Sequence, residues 1–268
     1  MGIEPGESTS RRCLEKVLRT AGDVIRIGDA VHALAVTRVE AATILSRWTG
    51  QGWVRRVGPG IYAPVPLDAP ESGHVLEDPW ILVPVLYDPG YIGGRSAAGH
   101  WELTGEMSGH IVVLTARPVR EKTQRHHGVT FSLKHIDRRR FFGTTMIQRG
   151  RTRVAVSDLH RTVIDMLDDP AIGGGIGRVA DCVAAYLAHG ERNDESLLAY
   201  GDRLGNGAAF KRLGFLAERI STDDPLVPAC QNRLTEGHTR LTPALVCSRL
   251  VTRWRLRIPD SWARDPWG

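Results

Sequence analysis

The side chains best placed to do chemistry in this 268-residue chain are arginines. Arg55 and Arg56 stand side by side in GWVRRVGPGIYAP, and Arg38 and Arg47 lie upstream, interspersed with Thr37, Thr43 and Ser46. A guanidinium is a planar, permanently charged fork of N–H donors that fits phosphate and the acceptor edge of guanine, and small hydroxyls add short hydrogen bonds at close approach. The chemistry on offer is recognition of an anionic polymer rather than bond breaking. A second arginine group, Arg138, Arg139 and Arg140 in HIDRRRFFG, is the centre of the most basic part of the chain. With Phe141 and Phe142 beside it, that run reads either as a further nucleic-acid contact or as a charged strand edge that resists aggregation.

Patterns that would carry catalysis fall short of what each mechanism requires. The glycines of GGGIG (Gly173 to Gly177) follow DDPA rather than a strand and precede no Lys-Ser/Thr pair, so they read as a loop opening a helix. His126 and His127 are adjacent in a basic stretch with no Cys or carboxylate cluster nearby, which suits metal ligation poorly. Glu121-Lys122 lacks the upstream acid of a metal-dependent nuclease, and no GxSxG occurs. Arg161 and Asp165, four apart on an expected helix, read as an ordinary helix salt bridge. No catalytic residue, metal ligand or cofactor site is expected, and the chain is not expected to be an enzyme.

The elements that must position the first arginine group are legible. Leu14, Val17 and Leu18 in RRCLEKVLRTAG have helical spacing that stops near Gly22, and a second helix is expected from Asp29 after the apolar run Val24 to Ile27. Thr37 and Glu40 have the S/T-x-x-E spacing of a capping box, which starts a third helix at Thr37 and leaves Gly50 or Gly52 to end it. Ala41, Ile44, Leu45 and Trp48 form one apolar stripe on that helix, so Val39, Thr43, Ser46 and Arg47 face the other way, with Arg38 at the edge. Trp53 to Val57, a Gly58-Pro59-Gly60 tip and Ile61 to Val65 then read as a two-stranded ribbon. Strand alternation sends Arg55 and Arg56 to opposite faces, which makes Arg56 the better phosphate contact. Helix, helix, helix, ribbon is the order of a winged helix-turn-helix. Its third helix suits the major groove and its ribbon the flanking backbone, although the same scaffold could serve only a protein contact.

Charge divides the chain. Residues 11–66 carry 9 basic and 4 acidic side chains, 67–116 carry 1 and 7, and 117–153 carry 11 and 2. The first flip falls at the Pro-rich seam APVPLDAPESG, which sets expected domains at 11–66 and 74–268, the polar first ten residues being expected to be disordered. Beyond the seam, short β-branched runs (HIVVLTA, GVTFSLKHI, TTMIQ, TRVAV) precede four helices from Asp158 to Ile220, and the tail around Arg253 to Ile258 reads as a final strand. The expected class is α+β, a winged helix followed by a larger mixed domain. Cys13, Cys182, Cys230 and Cys247 show no CxxC spacing, no 18-residue apolar run occurs, and the N-terminus lacks signal-peptide order, so a cytoplasmic protein without a membrane partner is expected.

Four segments in order, GWVRRVGPGIYAP, YIGGRSAAGHWELTG, RTRVAVSDLHRTVIDMLDDP and FKRLGFLAERI, together spanning roughly residues 12 to 220, resemble the AbiEi-type antitoxins of bacterial type IV toxin-antitoxin systems. Pro59 stands where that family often has a basic residue at the wing tip. The resemblance implies a transcriptional repressor of its own operon. It also implies a C-terminal domain that counteracts a nucleotidyltransferase-type toxin without a stable complex. The expected partners are therefore promoter DNA, with two copies on an inverted repeat, and a functional toxin partner; direct neutralisation of a partner enzyme is the competing reading.

Overall fold

The computed structural model describes residues 5–65, 78–105, 109–126 and 128–263. The first helix, α1 (Pro5–Thr20), starts before Arg11, so residues 5–10 are helical where disorder is expected from their polar composition. A two-residue strand, β1 (Ile25–Arg26), leads straight into α2 (Ile27–Leu34). Asp29 was expected to cap the start of α2; it lies in the first turn, where its carboxylate accepts from the Arg26 amide at 2.7 Å. Next comes α3 (Arg38–Gly50), then the ribbon of β2 (Val54–Gly58) and β3 (Ile61–Pro64). The sheet order is β1-β3-β2, all antiparallel. Val17, Ile25, Ala30, Leu45, Trp48, Val54 and Tyr62 close a first core between the helices and one face of this sheet.

The second part opens with a 3-10 turn at Pro79–Leu82 and a single helical turn, α4 (Val83–Leu86). Then follow β4 (Gly90–Ile92), α5 (Gly94–His100), β5 (His110–Thr115), β6 (Thr123–His126), β7 (Val129–His135), β8 (Thr144–Arg149) and β9 (Thr152–Ser157). The six strands form one mixed sheet in the order β6-β7-β5-β4-β9-β8, with β5–β7 and β4–β9 parallel. β4 and β6, three and four residues long, are too short for a period-two signal, and neither was expected. β5 is central and covered on both faces, which is why HIVVLT is nearly all apolar instead of alternating.

Helices α6 (Leu159–Asp168), α7 (Ile176–Leu187), α8 (Asp194–Leu204), α9 (Gly207–Ile220) and α10 (Leu226–Gln231) build the largest core, centred on Val163, Val183, Leu213 and Trp254. The GGGIG glycines form the turn into α7, with Gly174 and Gly175 at φ of +88 and +105°. A small sheet of β10 (Thr239–Arg240), β12 (Leu256–Ile258) and β11 (Arg249–Val251) follows, with a 3-10 turn at Asp260–Trp262 after it. The tail is thus not one strand: a turn at Thr252–Trp254 and a left-handed Arg255 separate β11 from β12, and they swing Trp254 into the core. The class is α+β, as the element pattern predicts.

The Pro-rich seam from position 66 onward falls among residues 66–77, outside the described residues. On either side of it the two parts share a core. Val24, Val57 and Ala63 of the winged helix pack with Ile81, Leu82, Val113 and Phe131. A polar clamp lies beside this contact. Arg151, at the β8–β9 turn, donates to the Leu18 and Arg19 carbonyls at 2.8 and 3.1 Å, so its cation sits on the C-terminal end of α1. The Asp23 carboxylate accepts from the Arg151 amide at 2.7 Å and from the Thr152 hydroxyl at 2.8 Å. The winged helix is held against the mixed sheet by apolar contact and by charge.

Candidate nucleic-acid interface

The third helix begins where the capping box puts it. Glu40 N–H donates to the Thr37 hydroxyl oxygen at 3.3 Å, while the Glu40 carboxylate accepts from the Thr37 amide and hydroxyl, both at 2.8 Å. Those bonds, the backbone one first, hold the Glu40 carboxyl below its usual range and turn it onto the cap. Ala41, Leu45 and Trp48 are fully buried against the first core, and Ile44 is half-buried beside them. This packing fixes the rotation of α3. Arg38, Val39, Thr43, Ser46 and Arg47 are consequently exposed, and with Ala42 and Ile27 they line a shallow depression along the helix. The Thr43 hydroxyl donates back to the Val39 carbonyl at 3.0 Å, so that side chain presents its methyl and its lone pairs outward. Arg47 reaches across to the Ser10 hydroxyl at 3.2 Å and is anchored to α1.

The wing sits beside this depression. Its strands pair Arg55 with Ala63 and Arg56 with Tyr62, after which the register shifts before Gly58 pairs with Ile61. Val54 faces the helices and Val57 faces the mixed sheet, so both sides of the ribbon carry buried valines. Arg55 is half-buried and Arg56 exposed, with Arg56 Nε donating to the Gly58 carbonyl at 3.3 Å. The tip is tight at its glycines. A Cβ on Gly60, where φ is +71°, would lie 3.1 Å from Ile27 Cδ1, and one on Gly58 would lie 3.1 Å from Leu86 Cδ2. The Gly60 carbonyl also accepts from the Ile27 amide at 3.1 Å. Ile27 therefore links the wing tip to the α3 depression, which it lines with Arg38, Thr43, Ser46 and Arg47.

The second arginine group divides. Arg138 and Arg139 are exposed on a 3-10 turn capped by Asp137, whereas Arg140 pairs with Asp168 at 2.8 Å. Burial would raise the Asp168 carboxyl, but bonds from Asn206 and the charges of Lys134 and Arg140 outweigh it and hold it below the ordinary range. Phe142 lies between two guanidiniums, with Arg161 Cζ 3.9 Å and Arg203 Cζ 4.1 Å from its ring centre. Phe141 meets Tyr91 edge-on at 5.1 Å. These rings are packing, so base stacking by them is not available.

The Arg161–Asp165 pair is not on a surface. Arg161 Nε meets Asp165 Oδ1 at 2.9 Å with both side chains fully buried, and the Tyr91 hydroxyl donates to Asp165 Oδ2 at 2.9 Å. Burial raises the Tyr91 phenol well above its ordinary range, with the Asp165 charge adding to it. Sequence spacing found the pair but not its burial; the local hint is that six of the ten residues of LHRTVIDMLD are apolar or small enough to surround it. Among the described residues, no group of three or more His, Cys, Asp or Glu side chains is placed to hold a metal ion. Nor is any helix among them long and apolar enough to cross a membrane.

Residues 14–65, the span of these three helices and the wing, match the family model described as a transcriptional regulator, AbiEi antitoxin. Over that span the winged helix is similar to the AbiEi antitoxin and transcriptional-regulator family. Its boundaries coincide with the first core, from the middle of α1 to the end of β3, and take in every residue of the first arginine group. Among solved structures the chain is similar to the crystal structure of the RV2827C protein from Mycobacterium tuberculosis, with a TM-score of 0.61 at 16% identity, covering 93% of this chain and 90% of that one. The likeness therefore extends from the AbiEi-type segment across the second part, as a likeness of fold. No curated protein matches.

Proposed function

We propose that this chain is a DNA-binding autorepressor and the antitoxin of a type IV toxin-antitoxin system, acting against a nucleotidyltransferase-type toxin. The observation that carries the DNA-binding part is the outward face of α3, fixed by its cap and by the burial of Ala41, Leu45 and Trp48, adjoining the wing in a segment of regulator type. In this reading α3 enters the major groove, where Arg38, Thr43 and Ser46 meet base edges and Thr37 sits at the helix start near the backbone. Arg47 and the wing residues Arg55 and Arg56 contact phosphates, Arg56 most directly because it is exposed and Arg55 is half-covered. Arg138 and Arg139 offer a further phosphate contact from the mixed domain. The role is regulatory rather than catalytic and is exercised in the cytoplasm, with two copies on an inverted repeat in the chain's own promoter. The toxin partner rests on the family description and on the four resembling segments.

Fluorescence anisotropy on DNA from upstream of the gene tests the reading. With Arg47, Arg55 and Arg56 on phosphate, log affinity should fall against log salt with a slope of about −3 per protomer, steeper where Arg138 and Arg139 add their contacts. Absent or salt-insensitive binding overturns it. Gel filtration with the product of the neighbouring gene addresses the toxin: separate elution agrees with action without a stable complex, and a stable 1:1 complex would establish direct neutralisation instead.

A further inference from the structure

Val39 is 77% exposed, on a helix whose other large apolar side chains are buried or half-buried. Valine is a poor helix former, and in the first turn of α3 it packs into none of the cores. Its neighbours on the same face deepen the anomaly. Ala42 stands at i+3 and Thr43 at i+4, and because the Thr43 hydroxyl is turned back to the Val39 carbonyl at 3.0 Å, what Thr43 adds outward includes its methyl. Val39, Ala42 and Thr43 thus make a small methyl strip along the depression, with Arg38 at one end and Arg47 at the other. A protein groove would cover such a strip with an apolar side chain, but flanking cations select an anionic partner. The apolar feature that an anionic duplex exposes in its major groove is the C5-methyl of a pyrimidine.

We propose that Val39 is a specificity-determining residue that reads the C5-methyl of a thymine next to the base edge met by Arg38. The inference rests on the DNA-binding reading above and adds to it a base identity. The Glu40 carboxylate, next to Val39 in sequence, is held on the helix cap by Thr37 and does not compete for the same groove edge. Val39→Ala removes two methyls from an exposed position and replaces valine with a better helix former, so the variant keeps the fold.

The test uses the full chain. Sites are first selected from a random, unmethylated duplex pool, and each thymine of the selected site is then replaced by deoxyuridine, which removes only the methyl. One position per half-site should lose about four-fold in affinity, the equivalent of ~0.8 kcal/mol for one buried methyl. That penalty should vanish in Val39→Ala while the salt slope stays unchanged. Sequence-preferring binding that is indifferent to every deoxyuridine overturns the inference and leaves DNA binding standing. A penalty that persists in Val39→Ala overturns the assignment to Val39. A pool without thymine enrichment, together with a gain on methylating a cytosine, would identify 5-methylcytosine as the source and overturn thymine. Failure to bind any duplex overturns the functional reading and this inference together.

Discussion

Replacing Asp165 by asparagine should cost a large part of the stability of the mixed domain. The carboxylate is 2% exposed and is shared by Arg161 Nε and the Tyr91 hydroxyl, each at 2.9 Å. The other supports of Arg161 are neutral: Nη2 donates to the Arg140 carbonyl at 3.0 Å and to the Tyr91 hydroxyl at 3.2 Å, the guanidinium lies over Phe142, and its buried Nη1 finds no acceptor among the described residues. Asparagine keeps the shape and one acceptor but removes the charge, leaving a guanidinium uncompensated in the interior. Removing one partner of a buried pair costs about 3–5 kcal/mol, and the retained oxygen places this variant near ~3 kcal/mol. With a urea slope of about 3 kcal/mol/M for a chain of this size, the unfolding midpoint should fall by roughly 1 M. Urea titration followed by far-UV circular dichroism reads it. Tyr91→Phe should cost less, about 2 kcal/mol, because it removes the hydroxyl's bond to the carboxylate and the one it accepts from Arg161 Nη2 but leaves both charges paired. Changing Arg161 to methionine together with Asp165 to leucine removes both charges and should recover most of the loss. A midpoint shift under about 0.3 M for Asp165→Asn, equivalent to ~1 kcal/mol, or a double variant less stable than the single one, refutes the reasoning.

Thr37→Ala removes the acceptor of the Glu40 amide and should cost about 1 kcal/mol, read by thermal unfolding, with Thr37→Ser restoring it. Arg151→Ala deletes the two bonds to the end of α1 and should speed amide exchange at Ala21, whose N–H bonds within that last turn, leaving Phe131 in the mixed sheet protected; equal protection in variant and parent would count against the clamp. His100 and His160 are both held below the ordinary histidine range by burial, Arg149 adding to the effect at His100 while Asp158 opposes it at His160. The unfolded chain therefore binds more protons than the folded one just below pH 6.5. Stability present above that pH should be lost on acidification, by at most about 1.4 kcal/mol per pH unit for each histidine, until the folded-state range is passed. Calorimetry between pH 7.5 and 5.5 showing a rising midpoint on acidification would overturn this.

What the amino-acid sequence determined by itself was short in range. The cap at Thr37, the stripe from Ala41 to Trp48 and the Gly-Pro-Gly wing tip each depend on residues within one or two turns, so spacing alone placed α3, its outward face and the wing. Alternation likewise separated Arg55 from Arg56. The tertiary structure decided how charge is spent. Arg161 and Asp165 look the same in sequence whether they face water or the core, and what buries them includes Tyr91, 74 positions from Asp165. The basic run at Arg138 to Arg140 reads as one patch until Asp168 takes Arg140, and Arg151 is an unremarkable turn residue until Asp23, 128 positions away, meets its amide. A charge has no periodicity of its own; its partner is set by which distant elements pack together, and that information exists only once the chain is folded.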